Sequence, residues 1–164
     1  RGVINIVNAA KTAGFSEAMC YLKQSPRYSL EQVNTQKAIE VFQAFVDRYP
    51  KSANVPIANT KIDELRSKLR KKAYESAYLY YKIGEYHAAA VSFDNFLKEF
   101  PEYENPERVN FLIVKALKKF ADGSYKDKKA ERYKDFQVHF DAFKQKYTTG
   151  KYLAELEKMQ KIRK

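Results

Sequence analysis

The sequence predicts an all-α fold of helical hairpins stacked in series, and three observations carry that prediction. A ladder of apolar residues, Ala38, Phe42, Phe45 and Tyr49, ends at Pro50 and returns 51 positions later as Ala89, Phe93, Phe96 and Phe100, ending at Pro101. A weaker third copy, Phe136, Phe140, Phe143 and Tyr147, follows after 47 more. Steps of four, three and four keep to one face of a helix, and near-constant spacing marks an internal repeat. Five Gly and five Pro in 164 residues are too few for an all-β chain full of turns. Lys, Glu, Ala and Leu dominate the remainder, as in helical proteins. With 45% hydrophobic and 15% aromatic residues, the chain buries a core rather than staying disordered.

Each element has its own signals. Val3-Ile4-Asn5-Ile6-Val7 is β-branched but has no partner strand nearby, so a helix from about Ile4 to Ala13 is expected, broken at Gly14. Ser16 then caps a short helix from Glu17 to Lys23. Residues 24–29 form a loop, because Pro26 biases Ser25 away from the helical region. Ser29 and Gln32 have capping-box spacing and open the first ladder helix, which Pro50 stops. Ser52 or Asn54 caps a helix that tolerates Pro56 in its first turn and carries Ala58, Ile62, Leu65 and Leu69. Another helical stretch runs from about Arg70 to Ile83, and pattern alone leaves open whether the two are separate or one rod. Asn105-Pro106-Glu107 is a strong helix start, with a stripe at Val109, Leu112, Ile113, Ala116, Leu117 and Phe120. After the turn Asp122-Gly123-Ser124 comes the third ladder helix. Gly150 ends it, and Leu153, Leu156 and Met159 mark a basic terminal helix that caps the stack. The expected organisation is one domain of repeat units at about 16–50, 53–101 and 106–148, with the terminal helix at 151–162.

The most informative stretch reads Tyr80-x3-Gly84-x-Tyr86-x2-Ala89-x3-Phe93-x2-Phe96-x4-Pro101. Ala73, Ala77, Tyr80 and Gly84 recur at steps of four, three and four before the turn, and Gly84 supplies the positive φ that ends a helix cheaply. This unit resembles a tetratricopeptide repeat, with Ala73 in place of the usual Trp. The resemblance implies hairpins stacked in a right-handed solenoid, with the first helix of each pair lining the concave side. On the helix before Gly84 that side is expected to hold Lys71, Tyr74, Tyr78, Tyr81 and Lys82, opposite Ala73, Ala77 and Tyr80. Tyrosines give large contact area at little rotamer cost, and lysines at the edge hold a carboxylate or an acidic peptide. The alternative is that some of these tyrosines pack on the preceding helix.

No catalytic constellation is expected. His87 and His139 lie on different helices without metal-ligand spacing, and no Gly-rich phosphate loop is present. Cys20, the only cysteine, has no partner and is expected to be an inert, at least partly buried thiol. The chain is read as a non-enzyme with no cofactor and no metal. Its net charge of +11 suggests an acidic partner, an anionic surface or a solubilising shell. The basic runs 66–72 and 115–134 interleave with apolar ladder positions and are expected to be exposed faces of core helices. Most aromatics are committed to the ladders, which argues against nucleic acid. No apolar run reaches the ~18–20 residues of a membrane span.

Two stretches carry a narrower resemblance. Gln24-Ser-Pro-Arg-Tyr-Ser-Leu-Glu-Gln leads into Ala38-Ile-Glu-Val-Phe-Gln-Ala-Phe-Val-Asp-Arg-Tyr-Pro-Lys-Ser52, and Tyr78-Leu-Tyr-Tyr-Lys-Ile-Gly-Glu-Tyr-His-Ala-Ala-Ala-Val91 runs on to Glu99-Phe-Pro101. Over roughly residues 16–120 these resemble the BamD-type outer-membrane β-barrel assembly lipoproteins of Bacteroidetes-like bacteria. The resemblance implies a periplasmic scaffold at the outer membrane that carries the later repeats of its family. Membrane contact would come only through an N-terminal lipid that this chain lacks. Its implied partners are the periplasmic domains of the β-barrel insertase, contacted somewhere in residues 70–147, other lipoproteins of the complex, and unfolded barrel precursors. The alternative is a general tetratricopeptide peptide-binding adaptor outside that complex.

Overall fold

Proline, glycine and the apolar ladders cut the chain into helices at nearly the expected places. A computed structural model describes residues 1–162, which form seven α-helices with no strand among the described residues. These are α1 (Gly2–Gln24), α2 (Val33–Arg48), α3 (Val55–Lys82), α4 (Tyr86–Glu99), α5 (Pro106–Asp122), α6 (Lys126–Lys146) and α7 (Lys151–Lys161). Backbone contacts gather into two units, residues 1–72 and 73–164, which divide within α3.

In the first unit, Gly14 does not break α1 and Ser16 does not start a second helix; one helix runs through both. A mid-helix glycine costs only about 1 kcal/mol, and packing just after it outweighs that. The Phe15 ring lies 5.9 Å from Phe42 and 5.4 Å from Phe45, and Ala18 has no exposed surface. Three fully buried alanines, Ala18, Ala38 and Ala58, belong to a core that also holds Phe42, Phe45, Ile62 and Leu65. The expected capping box at Ser29 does not form, because α2 starts later, at Val33. Gln32 takes the cap position instead, and its side chain turns back into the loop. Its amide donates to the carbonyls of Arg27 and Leu30, both at 2.8 Å, and accepts from the Thr35 hydroxyl at 2.7 Å. The two stretches expected on either side of Arg70 are one helix, α3, of 28 residues.

The second unit starts in the last turns of α3. Gly84 has φ of +87°. The amide of Gly84 donates to Tyr81 O and that of Glu85 to Tyr80 O, the paired bonds of a glycine helix stop. Ala77 and Ala89 are fully buried, and Phe93, Phe96 and Phe100 fill the space around them. Asn105 caps α5 by accepting from the Arg108 amide, with Pro106 at the first helical position. The expected stripe on α5 is buried except for half-buried Phe120, but Phe111, Val114, Lys118 and Ala121 are buried as well. The helix is enclosed on several sides because α4, α6 and α7 all pack against it. Phe136, Phe140 and Phe143 bury the third ladder, and Leu153 and Leu156 bury α7.

Lys118, with 2% of its side chain exposed, corrects the expectation that the basic run from 115 is solvated. Its ammonium donates to both Asp122 carboxylate oxygens at 2.7 and 2.8 Å and to the Ile162 carbonyl at 2.7 Å. It also lies over the Tyr133 ring, whose hydroxyl donates to Asp122. A buried ammonium needs such a set of partners, and here they tie the end of α7 to α5. The run 66–72 is likewise engaged. Lys68 donates to the Ser25 hydroxyl and Lys72 to the Leu30 carbonyl, so both hold down the loop between α1 and α2.

Candidate functional site

The candidate site is the tyrosine-bearing face at the C-terminal end of α3 with the α5 and α7 residues beside it. Helical spacing of four and three stacks three rings in a row. Tyr74 and Tyr78 lie 6.3 Å apart at 15°, and Tyr78 and Tyr81 6.2 Å apart at 8°. Tyr86, just past the turn, extends the row with its ring edge-on to Tyr81 at 5.6 Å. At the other end Tyr103 lies 6.1 Å from Tyr74.

The row is partly a packing face. Tyr74 stands edge-on against Phe93 at 5.8 Å and Phe96 at 5.7 Å, within the α3–α4 hairpin. The expectation that Tyr74, Tyr78 and Tyr81 lie opposite Ala73, Ala77 and Tyr80 fails on helix geometry. At about 100° per residue, Ala77 is only about 60° from Tyr74. Ala77 is fully buried, whereas Tyr80 turns outward and is 42% exposed. Tyr78 and Tyr81 are half-buried.

Cations lie over the exposed sides of these rings. The Lys82 ammonium is 4.9 Å from the Tyr78 centroid. Lys119, from α5, is 5.6 Å from Tyr81 and 5.2 Å from Tyr86. One turn earlier on α5, Lys115 lies over Phe111 at 5.1 Å and pairs with Glu155 of α7 at 2.6 Å. Phe111 in turn meets Tyr152 of α7 at 4.7 Å. The result is a row of tyrosines edged by positive charge, with the separate pair Phe111 and Tyr152 beside Lys115. Burial pushes the Tyr74 and Tyr81 hydroxyls above their ordinary value of 10.0. Desolvation is the main cause for each, opposed by Arg108 at Tyr74 and by Lys119 at Tyr81. The buried Tyr74 hydroxyl makes no hydrogen bond.

Lys71 belongs elsewhere. It lies in the first unit, over the Tyr28 ring at 4.4 Å, and helps to hold the loop after α1. Lys119, Phe111, Lys115, Tyr152 and Glu155 were missed by sequence reasoning. The i, i+4, i+8 spacing of Phe111, Lys115 and Lys119 was the available signal, but only the fold shows which side of α5 faces the tyrosines.

The structure brings His87 and His139 to one cleft over α5, lined also by Asp94 and Asp135. His87 rests on Phe120, and His139 approaches Asp135 at 3.4 Å. Among the described residues no three His, Cys, Asp or Glu side chains are grouped closely enough to hold a metal ion. Cys20 is exposed rather than buried, because Phe15, Ala18, Met19 and Leu22 occupy the inward side of α1. No described helix is long and apolar enough to cross a membrane.

Against known families, residues 13–52 and 73–103 match the tetratricopeptide repeat. These segments hold the first two ladders, and the match supports the tetratricopeptide family for this all-α repeat fold. The third ladder lies outside both segments. Tetratricopeptide repeats build surfaces for protein–protein interaction. No curated protein matches the chain.

Proposed function

We propose that this chain is a non-catalytic repeat scaffold of the outer-membrane β-barrel assembly complex, working at the periplasmic face of the outer membrane. In this reading it binds the periplasmic domains of the insertase, and with them other lipoproteins of the complex or unfolded barrel precursors. The observation that carries a binding role is the row Tyr74, Tyr78, Tyr81 and Tyr86 with Lys82 and Lys119 over its rings. Rigid aromatics with a cationic edge are hot-spot residues for a protein partner. The assignment to barrel assembly rests on the resemblance of residues 24–52 and 78–101 to that lipoprotein family.

The test is titration calorimetry against the soluble periplasmic domains of the insertase from the same organism, at two salt concentrations. The expected result is micromolar or tighter binding that persists at the higher salt. Tyr78→Ala is expected to weaken it by about 2 kcal/mol or more with helicity unchanged. Tyr81 is more deeply shared with Tyr86 and Lys119, so Tyr81→Ala should be read together with a thermal melt. Absence of binding would turn the assignment toward a general peptide-binding adaptor, which the match to the repeat family as such already allows.

A further inference from the structure

The second unit exposes its apolar side chains unevenly. Leu79 of α3 and Ile83 just after it are 57% and 62% exposed, Tyr125 before α6 is 86% exposed, and Ile162 after α7 is 58% exposed. Tyr80 shares a face with Leu79 and Ile83. Contacts bring these positions to one end of the unit. Lys119, near the end of α5, lies over Tyr81 and Tyr86 on the two sides of the α3–α4 turn. Beside it, Phe120 meets His87 at the start of α4 and Arg132 of α6, and Lys118 holds the Ile162 carbonyl. The opposite end is built from residues 98–108 and 144–152, where the Glu107 carboxylate approaches Gly150. No large apolar side chain is exposed there among the described residues.

Cations gather at the same end. Lys126, Lys128, Lys129 and Arg132 follow Tyr125 at the start of α6, against Asp127 and Glu131, and Lys161 closes α7. Lys128 pairs with Glu131 at 3.6 Å, and Arg132 is drawn back over Phe120. Lys126 and Lys129 have no ion pair among the described residues. A protein partner concentrates its contacts in a clustered pocket. Here, instead, single apolar side chains stand on three separate helix ends with ammoniums between them. A bilayer interface accepts such side chains one by one at a shared depth. Tyrosine lies at the headgroup level, leucine and isoleucine enter the acyl boundary, and lysines reach anionic headgroups.

We propose that this end of the second unit, centred on Ile83 and Tyr125, rests on the surface of an anionic lipid bilayer. The contact is interfacial, since no described helix is long and apolar enough to cross a membrane. Charge complementarity selects the lipid: Lys126 and Lys129 meet phosphate-bearing headgroups of net negative charge, while Ile83 and Tyr125 supply the apolar part. The proposal does not rest on the barrel-assembly reading, and no residue of the tyrosine row enters its test.

The experiment is co-sedimentation of the whole chain with vesicles of phosphatidylcholine containing about 30% phosphatidylglycerol, against vesicles of phosphatidylcholine alone. The chain is expected to bind the anionic vesicles and to bind the neutral ones at least about tenfold more weakly. Ile83→Ser with Tyr125→Ser leaves the charge unchanged and should weaken binding by about tenfold or more. Lys126→Gln with Lys129→Gln should do the same by removing the headgroup contacts. Two controls should not weaken it. Lys146→Gln with Lys151→Gln removes equal charge from the opposite end, and Val138→Ser removes an exposed apolar side chain from the flank of α6. All these positions are exposed or partly exposed, so helicity and thermal midpoint should hold in every variant. Equal losses from the two lysine pairs, with none from Ile83→Ser and Tyr125→Ser, overturn the proposal, because net charge alone then draws the chain to the vesicles. Failure to bind anionic vesicles also overturns it and leaves this end to a protein partner. So does a dimer in solution that Ile83→Ser with Tyr125→Ser dissolves, since a second copy is then the occupant.

Discussion

Two glycines ask opposite things of a substitution. Gly14 lies inside α1, and a Cβ built there would meet Phe45 Cδ2 at an ordinary 3.9 Å. Gly14→Ala should therefore stabilise the chain by roughly 0.5–1 kcal/mol, read as a higher thermal midpoint. Gly84 sits at φ +87° with open space around it, so its constraint is the backbone alone. Gly84→Ala should cost about 1–2 kcal/mol, and Gly84→Asn less. The sequence singled out both glycines but read Gly14 as a break, because a breaker signal carries no information about what the helix packs against. The tyrosines teach a related lesson. Tyr74 and Tyr81 were identifiable as one face, yet Tyr80 took the place in the expected core that Tyr74 occupies. Both raised hydroxyls favour their neutral form in the folded state. Their contribution is fully present below about pH 10 and is lost as pH rises through the higher folded value. Stability measured from pH 9 upward should fall, and less steeply in a Tyr74→Phe, Tyr81→Phe chain. Tyr74→Phe alone should be neutral or slightly stabilising at pH 7, since it removes a buried hydroxyl that has no partner.

Among the elements, α5 was legible in its start and stripe but not in how far it is enclosed. Its stripe was readable at helical spacing, but Lys118 reads as a surface residue and only the arrival of α7 buries it. The Asp122 carboxylate is the principal counter-charge of that ammonium. Asp122→Ala should cost about 3–5 kcal/mol, because it strands a buried charge. Exchange of the α7 amides should rise along with the loss of stability. Replacing both partners, Lys118→Met with Asp122→Leu, should recover most of that loss, because no charge is then left unpaired. If the single and double variants melt alike, the network is not what fastens α7. The ladder helices, by contrast, were read almost completely from sequence. A 4-3-4 aromatic period ending at proline leaves few alternatives for a helix and its inward face.

Across the whole molecule, each unit has its own aromatic core, and each should answer to its own substitutions. Phe42 has no exposed surface among Phe15, Ala18 and Leu65, and Phe93 has none beside Tyr74. Phe42→Ala and Phe93→Ala should each cost about 3–5 kcal/mol. Amide exchange should place the first loss mainly in residues 1–72 and the second mainly in residues 73–162. Internal repetition made the two aromatic ladders behind these cores visible in the sequence. The division within a single helix was not visible, because the pattern on α3 is continuous across it.

The exposed Cys20 has a practical consequence. As the only thiol in the chain, it offers one defined atom for attachment, on α1, in the unit that does not carry the candidate site. A fluorophore or spin label can therefore be placed there without altering the native sequence. The same atom makes oxidative cross-linking of two chains through a single bond the characteristic handling artefact of this protein, and one that a reductant should abolish.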